Sequence, residues 1–426
     1  MTNLDRLRYA VLAMDVQGFL IPSSDEYLSE YAQPNNRRLR WATNFTGSTG
    51  ALAVTRDRSA LIVDGRYTEH GARDTAGLAL DIVDVAPDTQ LAWYAANLRR
   101  GDRFAVDGRL HPYAEVQSII ALLGKIGVEV VDAPTNPVDL LWTDDRPSPP
   151  VERVQDYPVI FAGNSREAKF VALAEHLKRT GADWHVLADP EDVAWLLNMR
   201  IDMSVEGAHR VPIPLCRAVA SVAGHVNLFI DDRWLDAALA EQLRGLVTVH
   251  APDGLESFLG EVTPQRIVSA NLRKTPYRVV SVVTGGGGAI IDDQIVALER
   301  WKKHPNEIEA SRQAHRKDGA VVIRLLSWLQ QAVKDGPVME LDAAYKIRRL
   351  RREFNDFRGE SMPELSASGP SGALAHYVPS EKTNRRINDH PIYWLDSGGH
   401  YPGTTDNTVC FSVGTPEAKH VRAHTL

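Results

Sequence analysis

The sequence predicts the α/β class: two tandem, related domains of alternating helices and strands, followed by a third segment of mixed α+β character. Three observations carry this. First, "WATNF" (Trp41 to Phe45) returns as "WLLNM" (Trp195 to Met199), and "LIVDGRY" (Leu61 to Tyr67) returns as "LFIDDRW" (Leu228 to Trp234), in the same order. Second, "WTDDRPSPPVERVQDYPV" (Trp142 to Val159) is rich in proline and charge, which denies it both helix and central strand and makes it a linker. Third, beyond Pro305 the pattern changes to long amphipathic helices and then to short strands set in glycine-rich turns.

Each copy of the echo follows a helical pattern running into a buried-strand run, "GFLIP" (Gly18 to Pro22) in one case and "WHVLA" (Trp184 to Ala188) in the other. The order expected in each half is helix, strand, helix, strand, strand, helix. The Asp-x-Arg-aromatic element reads as a turn that caps a strand rather than as a site. The four glycines of "TGGGGAIIDD" lack a following Gly-Lys-Ser/Thr, so they read as a flexible joint and not as a phosphate loop. The domains expected are 1–145, 155–290 and 300–426.

In the third segment "NEIE" (Asn306 to Glu309) reads as a capping box opening a long helix, with Val321, Leu325, Leu329 and Val333 as its buried stripe and Gly336-Pro337 as its stop. A second helix sets Ala343, Ile347, Leu350 and Phe354 on one face. Its basic cluster, Lys346, Arg348, Arg349, Arg351 and Arg352, reads as a solvated surface.

Bulk properties exclude several classes. A net charge of −7 supplies no basic excess for nucleic acid. The two cysteines, Cys216 and Cys410, build neither a disulfide framework nor a cysteine zinc site. Charges at Asp5, Arg6, Arg8 and Asp15 interrupt any signal-peptide core, and no run approaches the roughly 18 apolar residues of a membrane span. The expectation is a cytoplasmic chain with no membrane and no nucleic-acid partner.

The chemistry lies in "LDSGGHYPGTTDNT" (Leu395 to Thr408). Period-two alternation puts Tyr393, Leu395 and Ser397 on one face of a strand and Ile392, Trp394 and Asp396 on the other. The return strand gives Asp406, Thr408 and Cys410 a common face, so a hairpin can bring Asp396 and Asp406 opposite each other. Two such carboxylates repel unless a cation lies between them, and hard oxygen donors suit manganese, or zinc in a carboxylate-rich site. The structural alternative is an Asx-turn at Asp396 with Asp406 closing the hairpin.

The segment "SGPSGALAHYVP…TNR…WLDSGGHYPGTTDNT", with "SDEYLSEY", "TNFTGSTG", "VDGRY", "DVAWLLNMR" and "LWTDDRP", resembles the three-domain form of the aminopeptidase P family across essentially the whole chain. The resemblance implies two creatinase-N-terminal-like α/β domains followed by a pita-bread (α+β) catalytic domain. It also implies removal of an N-terminal residue ahead of proline by two divalent ions, manganese or zinc, held by two aspartates, one histidine and two glutamates. Asp396 and Asp406 match the two aspartates, and His376 matches the histidine that hydrogen-bonds the substrate. Peptides with proline at the second position and a second copy of the chain are the partners implied.

Two departures qualify this. The return strand reads "DNTVC", with Val409 and Cys410 where the family carries arginine and threonine, and the hairpin is one residue shorter, which threatens to reverse a strand face. The family's remaining histidine and its two glutamates, which follow the hairpin, have no match in the 426 residues. The expectation is therefore an incomplete pita-bread domain, poorly stable alone, that binds metal weakly and has little peptidase activity. The alternatives are a non-catalytic peptide-binding relative and a metal-free creatinase-like hydrolase.

Overall fold

The computed structural model describes residues 1–203 and 211–425. The chain divides into two compact units. The first comprises Met1–Tyr157, Asn164–Ile201 and Ile213–Lys302, and the second comprises the described residues of Pro158–Gly163, Asp202–Pro212 and Lys303–Leu426.

The first unit is built on two six-stranded sheets. Strands β1 (Gly18–Pro22), β2 (Ala51–Thr55), β3 (Ser59–Val63), β4 (Asp81–Asp84), β5 (Arg103–Val106) and β6 (Glu129–Asp132) lie in the order β4-β3-β2-β1-β5-β6. A small strand β7 (Val154–Asp156) in the linker pairs with β9 (Met199–Ile201), away from either sheet. The second sheet contains β8 (Trp184–Leu187), β10 (Arg217–Ser221), β11 (Val226–Phe229), β12 (Val247–His250), β13 (Ile267–Ala270) and β14 (Ala289–Asp292), in the order β12-β11-β10-β8-β13-β14. Position by position the two sheets also share their strand directions, with one antiparallel strand among parallel ones: β2 in the first and β10 in the second. The echo in the sequence is thus a duplication of topology.

The echoed residues have local reasons. Asn44 (φ +64°) and Asn198 (φ +47°) both adopt the left-handed conformation where a helix gives way to the next segment, a role asparagine fills at low steric cost. At the Asp-x-Arg turns, Asp64 accepts from the Arg66 backbone (2.9 Å) and guanidinium (2.7 Å), and Asp231 does the same for Arg233. Asp107 and Arg109 form a third such ring, so the element is structural.

A further repeat became legible only in three dimensions. "DGRLHPY" (Asp107 to Tyr113) and "NLRKTPY" (Asn271 to Tyr277) follow equivalent strands and meet each other. Tyr113 N–H donates to Thr275 O (2.8 Å), Tyr277 N–H donates to His111 O (2.9 Å), and the two tyrosine rings stack at 5.9 Å. The four glycines are no joint. They turn the chain from the helix Tyr277–Gly285, through Gly287 (φ +85°), into β14 at the edge of the second sheet.

In the second unit a 31-residue helix, Pro305–Asp335, packs on the helix Glu340–Arg351 and on a three-stranded antiparallel sheet. After β15 (Gly359–Glu360), that sheet is formed by β16 (Leu365–Ser368), β17 (Ile392–Ser397) and β19 (Asn407–Ser412) in the order β16-β17-β19, while β18 (Gly399–His400) pairs with β15. Val321, Leu325, Leu329, Ala343, Ile347, Leu350, Tyr393 and Leu395 form the core.

Two expectations are corrected here. The capping box lies two residues earlier than "NEIE": Pro305 takes the first helical position, so His304 becomes the cap and its N–H donates to Glu307 (2.8 Å). The basic cluster is not all solvated, because Arg351 is 0% exposed and Arg348 donates to the buried Glu364.

Candidate metal centre

The alternation read along β17 holds. Tyr393, Leu395 and Ser397 are buried in the core, while Ile392, Trp394 and Asp396 form the other, half-buried face. The return strand is registered Trp394↔Cys410, Asp396↔Thr408 and Ser397↔Asn407. The residue directly opposite Asp396 is therefore Thr408, whose hydroxyl donates to Asp396 Oδ1 (2.8 Å), and not Asp406 as the alternation suggested. Asp406 lies two residues before Thr408 and so stands diagonally on the same face. The shorter hairpin does not reverse that face.

The turn explains why. Gly399 and Thr405 close it through Thr405 N–H to Gly399 O (2.9 Å), and a Cβ on Gly398 would meet Thr405 O at 2.0 Å and Ser361 Oγ at 2.2 Å. At the tip, a Cβ on Gly403 would meet Ser311 Cα at 2.6 Å, so the hairpin rests directly on the backbone of the long helix. These glycines are required by close approach.

Beneath the carboxylates is a buried charge pair. Asp318, from the long helix, accepts from Arg351 Nε (2.7 Å) and Nη2 (3.1 Å), and both side chains are 0% exposed. Asp318 also accepts from Thr405 Oγ1 (2.7 Å) and Asn407 Nδ2 (2.6 Å), the two neighbours of Asp406, while Arg351 donates to Ser397 Oγ (3.1 Å), the neighbour of Asp396. Burial opposes ionisation of Asp318, but the bonds from Arg351, Thr405 and Asn407 hold its carboxyl below the usual carboxylate range. One ion pair thus fixes the strand positions flanking both candidate ligands.

His376 lies in the turn after Gly369–Ala373, and its neighbour Tyr377 anchors it. Tyr377 Oη donates to Glu340 Oε2 (2.8 Å), and Glu340, 0% exposed at the start of its helix, also accepts from Ser368 N–H (2.7 Å) and Arg385 N–H (3.0 Å). Among the groups acting on Asp396, His376 favours its ionised form.

Electrostatically the pair is suited to a cation. Burial raises the Asp396 carboxyl above its usual value, the Thr408 hydroxyl opposes this, and the neighbouring Asp406 raises it further. Two carboxylates sharing a face in this way match the hard-oxygen chemistry of a divalent ion. Among the described residues no cluster of three or more His, Cys, Asp or Glu suited to a metal occurs, and the hairpin brings two carboxylates together.

Residues 4–140 and 145–309 match two creatinase/prolidase N-terminal domain families, and residues 309–426 match metallopeptidase family M24. The probable Xaa-Pro aminopeptidase P of Coccidioides posadasii (strain RMSCC 757 / Silveira) is 30% identical over 441 residues, covering 100% of this chain and 71% of the relative. That of Paracoccidioides brasiliensis (strain Pb03) is 29% identical, covering 100% and 71%, and that of Laccaria bicolor is 30% identical, covering 99% and 66%. The crystal structure of an X-prolyl aminopeptidase from Caenorhabditis elegans, described as a cytosolic enzyme with a di-nuclear active site, superposes with a TM-score of 0.90 at 26% identity, over 99% of this chain and 72% of that one. The chain spans 66% to 72% of the length of these proteins. With its two creatinase-type domains, its M24 segment and its alignment over the full 426 residues, the chain belongs to the Xaa-Pro aminopeptidase P family.

Proposed function

We propose that the protein acts as a metal-dependent Xaa-Pro aminopeptidase, releasing the N-terminal residue of peptides whose second residue is proline. The observation that carries this is the pair Asp396 and Asp406 on one strand face, fixed from below by Asp318 and Arg351. Asp396 and Asp406 would hold the divalent ions, manganese by preference and zinc as the alternative. When bound, such ions supply hydroxide at neutral pH and polarise the scissile carbonyl. His376 would donate a hydrogen bond to the peptide, a role supported by the anchoring of its turn through Tyr377. We assign the protein to the cytoplasm as a homodimer.

The test is release of free arginine from an Arg-Pro-Pro peptide by purified protein in manganese. Loss of release in Asp406→Ala with the fold intact supports the reading, and unchanged release overturns it. The substitutions at Val409 and Cys410 favour a second reading, a peptide-binding relative without catalysis. Saturable Xaa-Pro peptide binding that chelator leaves unchanged would select it.

A further inference from the structure

The first unit contains an open crevice of about 630 Å³ that uses none of the residues of the carboxylate hairpin. It lies at the C-terminal ends of β1, β3 and β4, three strands that run parallel, and this edge is where open α/β sheets receive ligands. Its size is within the range of roughly 300–1,000 Å³ of small-molecule sites.

The lining is amphipathic in a particular way. Leu20, Ile62, Ile119 and Leu122 give an apolar wall. Two helices, Pro87–Asn97 and Tyr113–Gly124, begin at the crevice, and Arg273 and Lys274 add full positive charge. Arg273 makes no ion pair among the described residues, whereas Lys274 stands 4.0 Å from Asp189. The negative groups are Glu30, which accepts from Ser48 Oγ (3.2 Å), and Glu115, which lies 3.3 Å from the buried ring of His111. A ligand of one charge would meet repulsion from half of the charged groups in this lining. One carrying both charges and an apolar substituent would satisfy all of it.

The duplicated half shows that the space is not demanded by the fold. The strand registers place Phe229 where the first half has Ile62, and there the ring is 1% exposed, stacked on His250 at 4.9 Å and edge-on to Phe258 at 5.5 Å. The second half fills this position with packed rings. In the first, Ile62 is also buried, at 5% exposure, but forms the floor of a crevice rimmed by charged side chains.

We propose that the crevice is a second ligand site, which takes the zwitterion of an amino acid or short peptide bearing an apolar side chain. The carboxylate is received by Arg273 and the N-terminus of the helix Pro87–Asn97, the ammonium by Glu30 and Glu115, and the side chain by the wall of Ile119 and Leu122.

The experiment is calorimetric titration of the full chain, treated with chelator, with leucine, with Leu-Leu, and with the uncharged N-acetyl-leucine amide. The expected result is saturable binding of a zwitterion, at least about tenfold weaker for the amide and roughly tenfold weaker in Arg273→Ala. Ser118→Trp, which fills the crevice from an exposed helix position, abolishes binding while circular dichroism is unchanged, and Asp396→Asn leaves it intact. Binding of leucine identifies a free amino acid as the ligand, and binding of Leu-Leu alone identifies a peptide. The proposal is overturned by the absence of saturable binding, by binding that both Arg273→Ala and Ser118→Trp leave unchanged, or by binding lost in Asp396→Asn. That last outcome would move the ligand to the hairpin without touching the proposed peptidase reading.

Discussion

Replacing Asp318 with leucine strips the counter-charge from a fully buried Arg351 and the acceptor from Thr405 and Asn407 in one step. Breaking one side of a buried ion pair costs about 3–5 kcal/mol, since the remaining charge stays desolvated. Each stranded hydrogen-bond donor adds about 1 kcal/mol. The expected destabilisation of the second unit is therefore about 5–7 kcal/mol, with faster hydrogen exchange at Thr405 to Ser412, because that strand loses its tether. Urea denaturation read by circular dichroism gives the first quantity and mass-resolved exchange the second. The double variant Asp318→Leu, Arg351→Met should recover most of the stability, as no charge then remains buried, yet leave the exchange of the strand raised. A loss below about 1 kcal/mol in the single variant, or a double variant as unstable as the sum of the singles, would refute the role assigned to this pair.

The remaining predictions follow from other features. Gly398→Ala forces a Cβ against Thr405 O and should disrupt the turn, lowering manganese affinity more than it lowers overall stability, as checked by titration calorimetry alongside urea unfolding. At Asn44, glycine should be nearly neutral, whereas valine should cost about 1–2 kcal/mol, because a branched Cβ is strained at φ +64°. Burial pushes the His185 imidazole down to about 4 from its usual 6.5. Its contribution is fully present above pH 6.5 and is lost as pH falls toward 4, since only the unfolded chain takes up the proton. About 2 kcal/mol should disappear between pH 7 and pH 5, and His185→Gln should flatten that slope in urea midpoints taken at the two values.

What the sequence made legible was whatever periodicity or local chemistry controls. The faces of β17, the stop at Gly336-Pro337 and the turn role of the Asp-x-Arg elements were read correctly because each depends on neighbours a few residues away. Asp318 and Arg351 were missed for the opposite reason. Each interrupts an apolar stripe, Ala314-Asp318-Val321 and Ala343-Ile347-Arg351, and a charge in such a stripe has a partner only where the fold brings one. Two opposite charges breaking the stripes of successive helices were the available signal. The diagonal placement of Asp406 depended on the turn at Gly398, which alternation does not encode. The repeat at Pro112 and Pro276 escaped notice because an aspartate in one copy is an asparagine in the other, and its meaning lies in a contact between the two.

That contact, Tyr113 to Thr275 and Tyr277 to His111, has the form of an isologous homodimer interface held within one polypeptide. In a true homodimer every substitution occurs on both sides at once, so a change that opens one subunit opens both. Once the halves share a chain, each side can be altered alone. The covalent link therefore frees one copy to specialise in packing while the other departs toward recognition, a division of labour that two identical subunits cannot reach.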